Sequence, residues 1–137
     1  MAMQAGYSNT SLVKKLGIKP GFKIRFVDPP EHYFDLLEGL PADIDVFEDP
    51  VSGLDFVHYF TKQAASLERD LPALKQEIVP NGTIWISWPK KASKVPTDVT
   101  EDVIRNLALS TGLVDVKVCA VDAVWSALKL VIRIKDR

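Results

Sequence analysis

Residues 83–88, TIWISW, carry large apolar side chains at odd and even positions alike. Successive side chains of a strand point to opposite faces, so such a strand must be covered on both sides. Trp85 and Trp88 lie three positions apart and therefore face opposite sides. This requirement points to a sheet held between two layers, the arrangement of an α/β domain. A PNG turn at 80–82 introduces the strand, and Pro89, Lys90 and Lys91 follow it.

The flanking segments supply the layers. Asn9 or Thr10 can cap a short helix whose apolar stripe is Leu12, Val13 and Leu16, and Gly17 stops it. Residues 23–27 read as a strand. Pro30 suits the first turn of a second short helix in EHYFDLLEGL. DIDVF is a short strand and LDFVHYF a longer one. Residues 61–79 place Ala65, Leu67, Leu71, Leu74 and Ile78 at roughly helical spacing, with Thr61 as a cap. Pro72 predicts two helices there, or a kink near Asp70, because proline removes a helical hydrogen bond. Residues 100–111 predict a helix capped by Thr100 and ended by Gly112. Beyond it the chain alternates: Val114, Val116 and Val118, then Leu128, Leu130 and Ile132, form the apolar parity of two antiparallel strands.

Alternating strands and helices imply a mainly parallel sheet with helices on both faces and a C-terminal antiparallel hairpin. One step strains that topology. Six residues separate Phe47 from Leu54, whereas a parallel crossover usually takes a dozen or more. The DIDVF strand is then either very short and at the edge, or differently directed. With 137 residues the chain is one domain: a 1–20 arm with its helix, and a 21–137 core.

Net charge is −1, so no global field draws the chain to nucleic acid or membrane. No apolar run approaches the ~20 residues that span a bilayer, and no signal peptide is visible. The single cysteine, Cys119, excludes an internal disulfide. A cytoplasmic location is expected. Two histidines and one cysteine, far apart in sequence, give no metal-ligand spacing.

In open α/β sheets ligands bind beyond the carboxyl ends of the strands. Those ends place Asp28, Glu48, His58, Trp88, Lys90, Lys91 and Lys94 on one rim, with Tyr7 in an arm able to fold over it. The lysines suit a phosphate or carboxylate, with Trp88 as a stacking platform. Asp28 can accept from a ligand hydroxyl or cap the following turn, and His58 can act as a base or be a hydrogen-bonded core residue. No residue is assigned to catalysis.

LDFVHYF, the following helix, ALKQEIVPNGTIWIS, the next helix and TGLVDVKVCAVDAVWSALKLVIRI together resemble the second half of a class I S-adenosylmethionine-dependent methyltransferase. The likeness implies a Rossmann-like three-layer fold, and by position puts Glu48 or Asp49 where that family holds the cofactor ribose. The family's glycine-rich loop is replaced here by VDPPEHY, whose two prolines lack the N–H donors of such a turn. GYSNTSLVKKLGIKPG, GTIWISWPKK and VWSALKLVIR are also similar to stretches of a small bacterial family grouped as a domain of unknown function. The expectation is a non-catalytic, methyltransferase-like domain without a cofactor, binding a small anionic ligand or a protein. The alternatives are a divergent methyltransferase using S-adenosylmethionine, and a nucleic-acid-binding module. The apolar face of the C-terminal hairpin is able to pair two chains into a homo-oligomer.

Overall fold

The structure is a computed structural model that describes residues 10–137; Tyr7, Asn9 and most of the N-terminal arm lie outside the described residues. Ser11, rather than Asn9 or Thr10, caps helix α1 (Leu12–Leu16): its hydroxyl accepts the Lys14 N–H. Strand β1 (Lys23–Val27) follows, then β2 (Asp45–Phe47) and β3 (Leu54–Phe60). Helix α2 (Ala64–Glu77) leads directly into β4 (Ile78–Pro89). Helix α3 (Glu101–Thr111) precedes the hairpin β5 (Leu113–Ala120) and β6 (Trp125–Ile132).

The six strands form one sheet in the order β2-β1-β3-β4-β6-β5. β2, β1, β3 and β4 run parallel, and β6 and β5 add antiparallel pairs. The two tryptophans part as their spacing requires. Trp88 packs with Ile84, Ile86, Leu71 and Ile104 under α2 and α3. Trp85 packs on the other face with Leu16, Ile24, Phe56 and Tyr33, and its indole N–H donates to the Leu16 carbonyl at 2.9 Å.

That other face is thinly covered. The helix expected in EHYFDLLEGL is only a 3-10 turn, Tyr33–Leu36. Pro29, Pro30 and Gly39 leave too few residues for a helix to propagate once nucleated. Its aromatic rings fix it instead, with Tyr33 and Phe34 edge-on to Phe26.

Two further expectations are revised. α2 is one helix, with Pro72 inside it on the exposed side. There the carbonyl that loses its partner stays solvated. The PNG turn is absorbed into β4 as an irregularity: Ile78 to Thr83 stand opposite only Leu54 to Phe56. A side chain at Gly82 would meet Ile78 Cβ at 2.9 Å, so the close approach needs glycine. The short connection also resolves. β2 is a three-residue edge strand parallel to β1, and β1 lies between it and β3. So short a strand needs a return of only about 10 Å along its axis, within reach of six residues. At the other edge β5 carries a bulge between Asp115 and Lys117, and Val116 and Val118 are exposed. Among the described residues no helix is long and apolar enough to cross a membrane.

Candidate functional site

After β1 the chain passes to β2 on one side, and β3 lies on the other, so a crevice opens between the carboxyl ends of β1 and β3. It holds a cleft of about 380 Å³ walled by Phe60 and Trp125, with Asp28, Thr61, Lys62 and Gln63 at its polar edge. Asp28 ends β1 in the left-handed region, φ 54°. Aspartate tolerates that conformation better than most residues. Pro29 and Pro30 next to it contribute no N–H. One wall is tied across the sheet: His32 Nε2 lies 2.5 Å from Asp122 Oδ2 in the hairpin turn. Burial alone would raise the Asp122 carboxyl; the Trp125 N–H, His32 and the Val124 N–H outweigh it and hold the group below the usual range.

The segment after β4 builds a larger cleft of about 620 Å³. Trp88, Lys90, Lys91 and Lys94 form one side, and Val99 and Glu101 stand on the other. A 3-10 turn, Lys91–Ser93, spaces the lysines; Ser93 Oγ donates to the Lys90 carbonyl at 2.7 Å, and Lys94 closes the turn at φ 63°. Trp88 is 7% exposed, so only its margin reaches the cleft rather than an open stacking face. Glu101 is engaged by Arg105, which also pairs with Asp102 and Asp115. Among the described residues the ammonium groups of Lys90, Lys91 and Lys94 make no ion pair.

The far wall is pinned to α2. Thr97 Oγ1 donates to the Lys62 carbonyl at 2.7 Å, and Asp98 Oδ1 accepts the Ala64 N–H at 2.7 Å at the start of α2. A distant carboxylate thus serves as the helix cap that Gln63 does not provide. Asp98→Ala is expected to lower stability by about 1 kcal/mol, as lost caps do. It should also speed amide exchange across residues 90–99, and hydrogen exchange checks both effects together with denaturant unfolding.

His58 lies apart from both clefts. It is fully buried in β3, with its imidazole stacked on Phe60 at 4.1 Å. The Tyr33 hydroxyl is 2.7 Å from Nδ1, and Ser87 Oγ is 2.6 Å from Nε2. Burial lowers its pKa to about 3, so the ring is neutral, and burial raises the Tyr33 phenol. Glu48 is exposed in the bend after the edge strand β2 and lines neither cleft.

The structure therefore gathers Trp88, Lys90, Lys91 and Lys94 and puts Asp28 in the neighbouring cleft. Sequence reasoning missed Lys62 and Gln63, and the Thr97–Glu101 wall. The acids of PTDVTED were visible, but not that Asp98 turns inward to cap α2.

No protein-family model matches the chain, and no curated protein matches it. Solved structures do. A SAM-dependent methyltransferase from Aquifex aeolicus superposes with TM-score 0.64 at 15% identity, covering 88% of this chain and 87% of its own. Magnesium protoporphyrin IX methyltransferase from Synechocystis PCC 6803, with bound SAH, gives 0.61 at 10% identity, covering 89% and 78%. LepI in complex with SAM gives 0.55 at 16% identity, covering 89% of this chain but 39% of that one. Identities this low establish the fold: a small, Rossmann-like, class I methyltransferase-like domain. They also overturn the expectation of no cofactor, since structures named for SAM or SAH share this fold. That expectation rested on Pro29 and Pro30, which remove backbone donors but leave the crevice beside them open.

Proposed function

We propose that this methyltransferase-like chain is a binding domain that takes a small anionic ligand in the lysine cleft, next to an S-adenosylmethionine-class cofactor in the β1/β3 crevice. The observation that carries the reading is the set of three lysines without ion pairs around a cleft of about 620 Å³, preorganised by hydrogen bonds to α2. Ammonium groups held without partners at a concave surface favour phosphate or carboxylate.

The crevice residues fit the cofactor in side-chain terms. Lys62 suits a carboxylate, Asp28 an ammonium, and Phe60 and Trp125 an apolar body. Glu48 and Asp49 are exposed beyond β2 and outside the crevice lining, so they are not among the residues that carry this fit. The backbone fits less well, because Pro29 and Pro30 offer no N–H, so side chains must carry the binding. When bound, such a cofactor supplies an electrophilic methyl group. The buried, neutral His58 is no rim base, which favours binding over turnover. The fold shared with methyltransferases is the observation favouring the second reading, methyl transfer to the bound anion.

Thermal denaturation with S-adenosylmethionine, S-adenosylhomocysteine, inorganic phosphate and nucleotides tests the proposal. A ligand at ~100 times its Kd stabilises by about 2.7 kcal/mol. Lys90→Ala/Lys91→Ala should abolish the phosphate or nucleotide shift and spare the cofactor shift, which Lys62→Ala should reduce. No shift with any ligand overturns the reading in favour of a protein partner. Radiolabelled methyl appearing on the anion would establish transfer instead.

A further inference from the structure

A separate recess of about 290 Å³ lies toward the amino ends of β1, β3 and β4, on the face that carries α1. Lys19, Lys129, Asn81 and Thr83 line it, beside the Leu16–Gly17 corner. Lys129 comes from β6, where its cross-strand partners are Trp85 and, on the edge strand, Lys117. Like charges directly opposite one another destabilise a sheet. Partial burial, then Lys117, then Lys19 lower the Lys129 pKa, so the Lys129 ammonium feels the charge of both other lysines. Among the described residues none of the three makes an ion pair. Asp55, the carboxylate in the lining, accepts the Lys23 backbone N–H at 2.8 Å.

A chain of net charge −1 thus puts two cations in the lining of a concavity, with Lys117 paired beside one of them, on a face its helices leave thinly covered. The neutral side chains beside them, an amide and a hydroxyl, can both donate hydrogen bonds. Multiply charged oxyanions relieve such repulsion and match both kinds of donor. We propose that this recess is a second anion site, in which Lys19 and Lys129 hold a phosphate or diphosphate group, Asn81 and Thr83 donate to it, and Lys117 strengthens the field. The site is independent of the rim and of the function proposed for it.

Amide chemical shifts of the full chain, titrated with inorganic pyrophosphate, read this site directly. Sodium chloride at matched ionic strength is the control, and Lys90→Ala/Lys91→Ala removes the rim contribution. Saturable shifts should centre on Gly17, Lys19, Asn81, Thr83 and Lys129 and persist in the rim variant. Lys129→Gln should weaken them about tenfold or more, and Lys19→Gln provides a second variant if the first folds poorly. Without anion, Lys129→Gln should melt no lower than the parent, because a like-charge contact is gone. Shifts matched by chloride, lost in the rim variant, or unchanged in both glutamine variants overturn the proposal.

Discussion

Glu77→Ala is expected to cost about 3–5 kcal/mol of folding stability, the range for breaking a buried ion pair from one side. The Glu77 carboxylate at the end of α2 accepts from Arg25 Nε at 2.7 Å and from Arg25 Nη2 at 2.8 Å. The two residues are 6% and 8% exposed. Alanine leaves a buried guanidinium without its hydrogen-bonded ion-pair partner, with only the Asp70 carboxylate, beyond ion-pair distance, still in its field. The melting temperature should fall by roughly 10 °C or more for a domain of this size. Arg25→Met/Glu77→Leu should recover most of the loss, because a well-packed apolar pair avoids the desolvation cost altogether. Urea denaturation of parent, single and double variants decides the matter. A loss below about 1 kcal/mol in Glu77→Ala would mean that Arg25 reaches water, as exposed pairs do.

Acid should destabilise the fold through His58. Its folded pKa, about 3, lies below the ordinary 6.5 because burial disfavours the imidazolium. Below pH 6.5 the unfolded chain takes up a proton that the folded chain refuses until about pH 3. The contribution is therefore complete above pH 6.5 and is lost as pH falls through that window. The limiting slope is about 1.4 kcal/mol per pH unit. His58→Gln should start from a lower stability, since Tyr33 and Ser87 lose their common partner, but should show a shallower slope between pH 6 and 4.5. Carboxylates titrate in both proteins, so the difference in slopes isolates His58. Parallel slopes would show that the imidazole protonates inside the folded chain.

TIWISW revealed its position in the sheet because covering both faces is a local demand, written in consecutive side chains. The lysine turn was legible for the same reason: it directly follows that strand. His58 was harder to place. LDFVHYF reads as a strand in either an edge or a central position, and only pairing with β1 and β4 on its two sides buries the ring. Pro72 misled because the penalty for a proline depends on whether the freed carbonyl meets water, and exposure is a tertiary property. The second wall of the cleft depends on Asp98 reaching Ala64, thirty-four residues away. No periodicity records such a contact. The segment after Pro30 has the composition of a helix, but aromatic packing on Phe26 determines its shape.

The irregularity at Val116 also bears on solubility. β5 is a long outer strand with two exposed valines, and a smooth strand of that kind is a template on which further chains can stack. The extra residue between Asp115 and Lys117 breaks the repeat at its midpoint, and Lys117 adds a charge there. Neither half offers an uninterrupted run of six residues, the length of a self-templating segment. Protection from aggregation at this edge therefore resides in one inserted position, and costs the sheet a single ladder contact.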